Sequence, residues 1–277
     1  MSKFRTFAAV ASLAVASIAL STAANAGAVL DRVLATKTLT AAVATDWPKQ
    51  SFLNDNHELD GNDIDVVKGI AKYLGVELKF VTPSWDVIVA GNWEGRWDIA
   101  MGGMTPTKAR AEKFSFPAIF THLRSVVVVH KDSKAEQLSD LDGKTVGANL
   151  NTTDEYYVRH TLKPEWLGAK PIEFKFTPGE VKTYESYTTG LADLRLGDGV
   201  RLDAFVMSDV AAKDAIKAGN PIKQLGDTLY SAPGAIATLR GDKEFDDKVA
   251  AAIKSMKDDG TLSKLAIKWY GVDLSAE

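Results

Sequence analysis

Apolar and polar positions along this chain change period every few residues, and the changes divide it into alternating strands and helices. Leu39 to Val43 is a short apolar run that predicts a strand. Ile64, Val67, Ile70, Ala71 and Leu74 recur at helical spacing on one face, with Gly75 behind them as a stop. Val76 to Val81 alternates as a half-buried strand, and Trp85 to Ala90 predicts a turn or two of helix. Ile99 to Met101 predicts the next strand. Ser125 to Val129, almost all valine, has the composition of a strand buried on both faces. A second set follows. Thr145–Ala148, Ile172–Phe176, Ala204–Met207 and Ala235–Leu239 read as strands. Asp154–Thr161, Tyr184–Leu196, Asp209–Ala218, Glu244–Lys257 and Leu262–Trp269 read as helices, the last two divided at Asp259-Gly260. Strands alternating with helices predict an α/β protein with mostly parallel sheets. Arg96-Trp97-Asp98-Ile99-Ala100 and Arg201-Leu202-Asp203-Ala204-Phe205 both run Arg-x-Asp into an apolar strand, as two lobes of similar design would.

The first residues change the picture from fold to compartment. Lys3 and Arg5 precede an apolar run from Phe7 to Leu20, and Ala24-Asn25-Ala26 closes the segment with the small-x-small pattern of a cleavage site. Residues 1–26 are therefore expected to be a secretory signal peptide, since the run is shorter than the roughly 20 residues that span a bilayer. The chain has no cysteine. An exported protein of this kind must rely on its core rather than on disulfides. It also has no N-terminal cysteine to acylate, so the mature protein is expected free in the periplasm, without a lipid anchor.

Charge and missing motifs exclude several classes. The formal net charge is −3, and loss of Lys3 and Arg5 with the leader makes the mature chain more acidic. Such a balance does not suit coating nucleic acid. The 45% hydrophobic content is that of a globular protein. There is no Gly-x-Ser-x-Gly elbow, Walker loop or Gly-x-Gly-x-x-Gly. None of His57, His122, His130 and His160 stands at His-x-x-x-His spacing, so neither a zinc site nor a cofactor is expected. One stretch does carry chemistry. Trp97 to Arg110 reads as a strand, a small-residue turn with Gly102 and Gly103, and a helix opened by Thr107 with Arg110 one turn in. Glycines allow close approach to the backbone, a helix start offers free N–H groups, and arginine adds a planar fork that matches a carboxylate. Together they make a small-anion clamp.

Ordered blocks over nearly all of the mature chain resemble the bacterial extracellular solute-binding proteins, family 3, the polar amino-acid receptors of ABC importers. Thr45-Asp46-Trp47-Pro48 resembles the Asp-aromatic-Pro-Pro loop, and Gly61-Asn62-Asp63-Ile64-Asp65 resembles Gly-aromatic-Asp-x-Asp. Gly103-Met104-Thr105-Pro106-Thr107-Lys108-Ala109-Arg110 resembles Gly-Met-Ser-x-Thr-x-x-Arg, with Phe114-Ser115 behind it. Leu141 to Gly147, Asp259-Gly260-Thr261 and Lys268-Trp269-Tyr270-Gly271 complete the set. The resemblance implies a type II periplasmic-binding-protein fold. Its two α/β lobes hold mostly parallel sheets flanked by helices, joined by two crossover hinge segments. Lobe 1 would comprise 27–122 and 232–277, and lobe 2 would comprise 123–231.

By position, the resemblance also implies a site. Trp47 and Trp85 would stack on the ligand. Gly103 and Thr105 would offer backbone N–H groups, Thr105 adding a hydroxyl. Arg110 would hold an α-carboxylate, and Thr152 and Thr153 would meet it on closure. Trp93, Trp97, Trp166 and Trp269 are expected in packing. Three positions depart from the family. Ser208 stands where an acid usually holds the ligand's ammonium, so that a one-residue bulge would be needed to bring Asp209 into the cleft. Asn151 replaces a common glycine and tightens the space before Thr152, and Lys49-Gln50 replaces a usual Pro-Phe. If Lys49 faces the cleft, a ligand with an acidic or polar side chain becomes plausible.

The function this implies is a monomeric receptor, not an enzyme. It would take a small carboxylate-bearing solute, a polar amino acid first, close on it by hinge motion, and dock on a membrane permease. The alternative is a cyclohexadienyl dehydratase-like enzyme on the same fold, acting on prephenate or arogenate with Asp209 or Asp154 as proton donor.

Overall fold

The computed structural model describes residues 27–166 and 169–276, and the expected leader lies outside them. The chain opens with α1 (Ala28–Thr36) and β1 (Thr38–Ala42), then a three-stranded sheet of β2 (Asp46–Trp47), β3 (Ser51–Leu53) and β4 (Leu59–Asp60). Next come α2 (Asn62–Leu74), β5 (Glu77–Val81), α3 (Trp85–Ala90), β6 (Ile99–Met104), α4 (Lys108–Ala111) and β7 (Phe114–Ser115). The long β8 (Ile119–His130) leads to β9 (Thr145–Asn149), α5 (Thr153–Val158), β10 (Glu180–Tyr184), α6 (Tyr187–Leu194), β11 (Ala204–Ser208) and α7 (Asp209–Lys217). The longer β12 (Ile222–Leu239) returns to α8 (Lys243–Asp258) and α9 (Thr261–Tyr270).

One hydrogen-bonded path runs β10-β9-β11-β8-β12-β6-β1-β5. Its two ends are built alike. β1 pairs parallel with β5 and β6, and β9 pairs parallel with β10 and β11. The Arg-x-Asp echo has a structural counterpart in its aspartates. Asp98 accepts the Thr40 N–H at 2.8 Å and returns its own N–H to the Thr40 carbonyl at 2.9 Å. Asp203 does the same with Thr145, at 2.8 and 2.9 Å. Each carboxylate pins the start of one parallel strand to its neighbour. The arginines are not equivalent: Arg96 lies over the Trp97 ring, whereas Arg201 pairs with Asp193.

Alternate residues of each strand enter different cores, as strands covered on both faces require. Leu39, Ala41, Ile99 and Met101 pack with α2 and α8 through Ile64, Val67 and Val249, while Ala42 and Ala100 face Trp93, Trp97 and Phe114. In the other half, Val127, Val129, Val146 and Val206 pack on Tyr157 and Trp166, while Val126, Val128 and Phe205 face Leu194, Ala211 and Ala212. β8 and β12 join the halves as antiparallel partners from Ile222↔His130 to Ala235↔Ile119. β11 pairs with β8, and β6 with β12. This is the two-lobed α/β fold of type II periplasmic binding proteins. No helix among the described residues is long and apolar enough to cross a membrane.

Several local expectations give way to tertiary context. Ile172–Phe176 alternates but joins no sheet, because the Tyr157 hydroxyl serves its backbone: it accepts from Lys175 N–H at 2.9 Å and donates to the Glu173 carbonyl at 3.0 Å. The helix expected over 184–196 is instead the end of β10 followed by α6, divided where Ser186 caps the helix. α1 has no local cap. Asp242, far along the chain, accepts the N–H groups of Val29 and Leu30 at 2.8 and 3.0 Å.

Candidate functional site

A cavity of about 70 Å³ lies where β6, α3, α5, β8, β11 and β12 converge, and both halves of the molecule line it. Its wall contains Trp47, Trp85, Gly103, Thr105, Arg110, Thr152 and Thr153. Trp47 projects from the small sheet and Trp85 opens α3; their rings meet edge to face at 5.1 Å. Gly102 makes room for this pair. It sits at φ +115°, and a Cβ there would lie 2.4 Å from Trp47 Cζ3 and 3.1 Å from Trp85 Cζ3.

Arg110 is buried at 7% exposure. Thr107 caps the short α4 by accepting the Arg110 N–H at 3.3 Å, which fixes where the side chain starts. The guanidinium donates to the Thr105 carbonyl at 3.1 Å and to the Asn151 carbonyl at 2.9 Å, and its Nε has no partner. It lies near the rings of Trp85 and Tyr156. No carboxylate among the described residues pairs with it, and burial pulls its pKa below the ordinary arginine value. A cation held dry without a counter-ion calls for an anion.

Asn151 takes the left-handed conformation (φ +59°), which glycine adopts without steric cost. Its carbonyl accepts from both Arg110 and Trp85 Nε1, the latter at 3.1 Å, so this one peptide bridges the cleft. Thr152 caps α5: its hydroxyl accepts from Glu155 N–H at 3.3 Å and donates to the Asn149 carbonyl at 2.6 Å.

Asp209 does not line the cavity, and this corrects the expectation placed on it. β11 pairs with β8 in unbroken register from Ala204↔Val129 to Ser208↔Ser125, so no bulge turns Asp209 inward. Ser208 lines the cavity and caps α7, and Asp209 begins that helix. There its carboxylate meets Arg124 and Lys213, each at 3.2 Å. Lys49 is likewise absent from the wall; its neighbour Gln50 is present.

Sequence reasoning named Asp154 only as an alternative enzyme's proton donor and did not name Ser125 or Tyr230 as site residues. Asp154 is buried in α5, and its Oδ1 accepts from Ser125 Oγ at 2.5 Å and from Tyr230 OH at 2.6 Å. Burial raises its pKa and that of Tyr230. Position two of a helix commonly carries an acid, so nothing local distinguishes Asp154; only β8 and β12 from elsewhere reveal it. Behind the glycines, Asp63 is fully buried. It accepts the Gly102 N–H and faces Gln50 Nε2 at 3.5 Å, and burial pushes its carboxyl up to about 7. Of the remaining tryptophans, Trp93, Trp97 and Trp166 are buried in the cores, and Trp269 donates from Nε1 to Asp65 at 2.9 Å. Among the described residues no cluster of His, Cys, Asp and Glu is arranged to hold a metal ion.

A cleft between two α/β halves, walled by indoles and an unpaired guanidinium, has the make-up of a solute-binding site. The sequence profile of the bacterial extracellular solute-binding proteins, family 3, matches residues 39–272, and the chain belongs to that family. It is 28% identical over 249 residues to the L-cystine-binding protein TcyJ of Escherichia coli K12, covering 89% of this chain and 87% of that one. An ancestral arginine-binding protein bound to arginine superposes with a TM-score of 0.73 at 30% identity, covering 85% and 99% of the two chains. The ancestral amino acid-binding protein AncCDT-1, a precursor of cyclohexadienyl dehydratase, gives 0.74 at 29% identity, covering 87% and 99%.

Proposed function

We infer that this protein is the periplasmic receptor of an ABC importer for an amino acid. Lobe 1 (27–122 and 232–277) and lobe 2 (123–231) close over the ligand, and the closed monomer docks on a membrane permease. The leader expected over 1–26 directs it to the periplasm. The observation that carries the reading is Arg110: a buried guanidinium at the meeting of the lobes with two carbonyl partners, a free Nε and no counter-ion. A ligand carboxylate supplies the missing charge, and the flat indoles of Trp47 and Trp85 supply apolar walls at little rotamer cost. The relatives named for cystine and arginine support an amino acid over other carboxylates. Thermal shift and calorimetry across the twenty amino acids and L-cystine test the reading. At least one is expected to raise the melting temperature, and an amino-acid receptor that none of them stabilises is refuted.

The likeness to a dehydratase precursor keeps one second reading in view, because Asp154 is a buried acid whose raised pKa suits a proton donor. Steady release of phenylpyruvate from prephenate by the purified protein would favour that enzyme over the receptor.

A further inference from the structure

The cavity holds two buried charges of opposite sign, and neither has its partner. Arg110 is one. Asp154 is the other: it is 6% exposed, lines the cavity, and no cation among the described residues pairs with it. Both of its hydroxyl donors, Ser125 and Tyr230, go to Oδ1, which leaves Oδ2 without a hydrogen bond. A carboxylate kept only to tie β8 to β12 through those hydroxyls could be an amide, which accepts them equally well and carries no charge to desolvate. Within the empty protein that carboxylate meets only the two hydroxyls and the N-terminus of α5.

We propose that Asp154 is the acceptor for the ligand's α-ammonium, so that Arg110 and Asp154 together select zwitterionic amino acids over plain carboxylates and plain amines. This rests on reading the cleft as an amino-acid site. The other acids nearby, Asp209 and Asp63, do not line the cavity. Asp209 is held by Arg124 and Lys213 outside the cavity wall, and Asp63 sits behind Gly102 with that residue's N–H on it. Ser208 is neutral, and its hydroxyl takes the Ala211 N–H at 3.2 Å. The ammonium therefore moves from the strand end, where the family's acid is missing, to the facing helix.

Calorimetry with wild-type protein and Asp154→Asn tests this, using the twenty L-amino acids and L-cystine as probes. For the tightest binder, its α-hydroxy acid and its decarboxylated amine follow. Wild type is expected to prefer the amino acid to both analogues by about 100-fold or more. Asp154→Asn should lose about 100-fold for the amino acid and nothing for the α-hydroxy acid. If wild type binds the amino acid and Asp154→Asn binds it within threefold, Asp154 is not the acceptor, while the receptor reading stands. If wild type binds none of the probes, the amino-acid reading fails and takes this one with it. A crystal structure of wild type with the amino acid decides the matter independently of how the variant folds. The ligand nitrogen within about 3.2 Å of Asp154 Oδ2 supports the assignment, and a nitrogen bonded only to other groups overturns it.

Discussion

Replacing Arg110 by methionine separates a residue kept for binding from one kept for stability. In the empty protein the guanidinium makes two hydrogen bonds, to the carbonyls of Thr105 and Asn151. Hydrogen bonds from a charged donor contribute about 1.5–3 kcal/mol each. Against them stands the desolvation of a cation without a counter-ion, still several kcal/mol per ion after relaxation. The two nearly cancel. Arg110→Met fills much of the same volume against Trp85 and Tyr156 and leaves no charge to desolvate. At about 2–4 °C per kcal/mol for a protein of this size, the ligand-free melting temperature is expected to stay within about 5 °C of wild type. Affinity behaves differently. Truncating one member of a buried charge pair costs about 2–5 kcal/mol, which is roughly 30-fold to several-thousand-fold in Kd. Differential scanning calorimetry gives the first quantity and isothermal titration with the wild-type ligand gives the second. A variant that melts 10 °C or more lower and still binds with wild-type affinity would show Arg110 to be a structural strut, and the reasoning from its missing counter-ion would be wrong.

Three further outcomes follow from the same geometry. Burial raises Asp63 from 3.8 to about 7, so between those values the folded state holds a proton that the unfolded chain has released. Its contribution is full below about pH 4 and declines as pH rises toward 7, on the order of 4 kcal/mol over the window; Asp63→Asn should flatten this slope in melts from pH 4 to 8, and an unchanged slope excludes Asp63 as its source. Gly102→Ala sets a Cβ 2.4 Å from Trp47 at φ +115°, a strain of about 1–3 kcal/mol that should shift tryptophan fluorescence and weaken ligand binding together; unchanged emission and affinity would mean that the indole pair does not lean on that glycine. Tyr157→Phe strips the partner from Lys175 N–H and Glu173 C=O and should cost about 1–3 kcal/mol, with faster hydrogen exchange at Lys175; protection equal to wild type would count against the role given to the phenol.

The apolar centres of the strands were legible because period and composition are local properties. Val126–Val129 and Ile99–Met101 sit where expected, and Gly75 stops α2 in the left-handed conformation. The lengths of β8 and β12 were not legible, because only their apolar centres signal strand. Gly226, Pro233 and Gly234 interrupt β12, where the pairing register also shifts. The clamp around Arg110 was legible for a similar reason: Thr107 and Arg110 lie one turn apart, so cap and charge appear together in the sequence. On the lobe 2 side Thr152 and Thr153 were legible at the start of α5, but the surroundings of Asp154 were not. Asp154 acquires its meaning from Ser125, 29 residues away, and Tyr230, 76 residues away, and no spacing rule joins such positions. Asp209 misled because an acid one residue past the family's position outweighed the plainer fact that Ser208 makes a good cap and Asp209 a good first helical residue.

On the proposed reading, two charges without counter-ions on different lobes make closure conditional on the ligand. When the empty cleft shuts, Arg110 and Asp154 are both desolvated, and the bridging Asn151 carbonyl returns only its hydrogen bonds from Arg110 and Trp85, with no opposite charge for either ion. A ligand moves this equilibrium only by the difference between its affinities for the closed and open forms. Reversing a 1:99 population takes about 5.5 kcal/mol of that difference. One buried charge pair supplies about 2–5 kcal/mol, and two supply enough. A solute with a carboxylate alone satisfies Arg110 and still leaves Asp154 dry and unpaired, so it closes the lobes poorly however well it binds to one of them. On this account selectivity lies in the closing step more than in the first contact, and a permease that reads the closed shape would pass over molecules that merely occupy the open one.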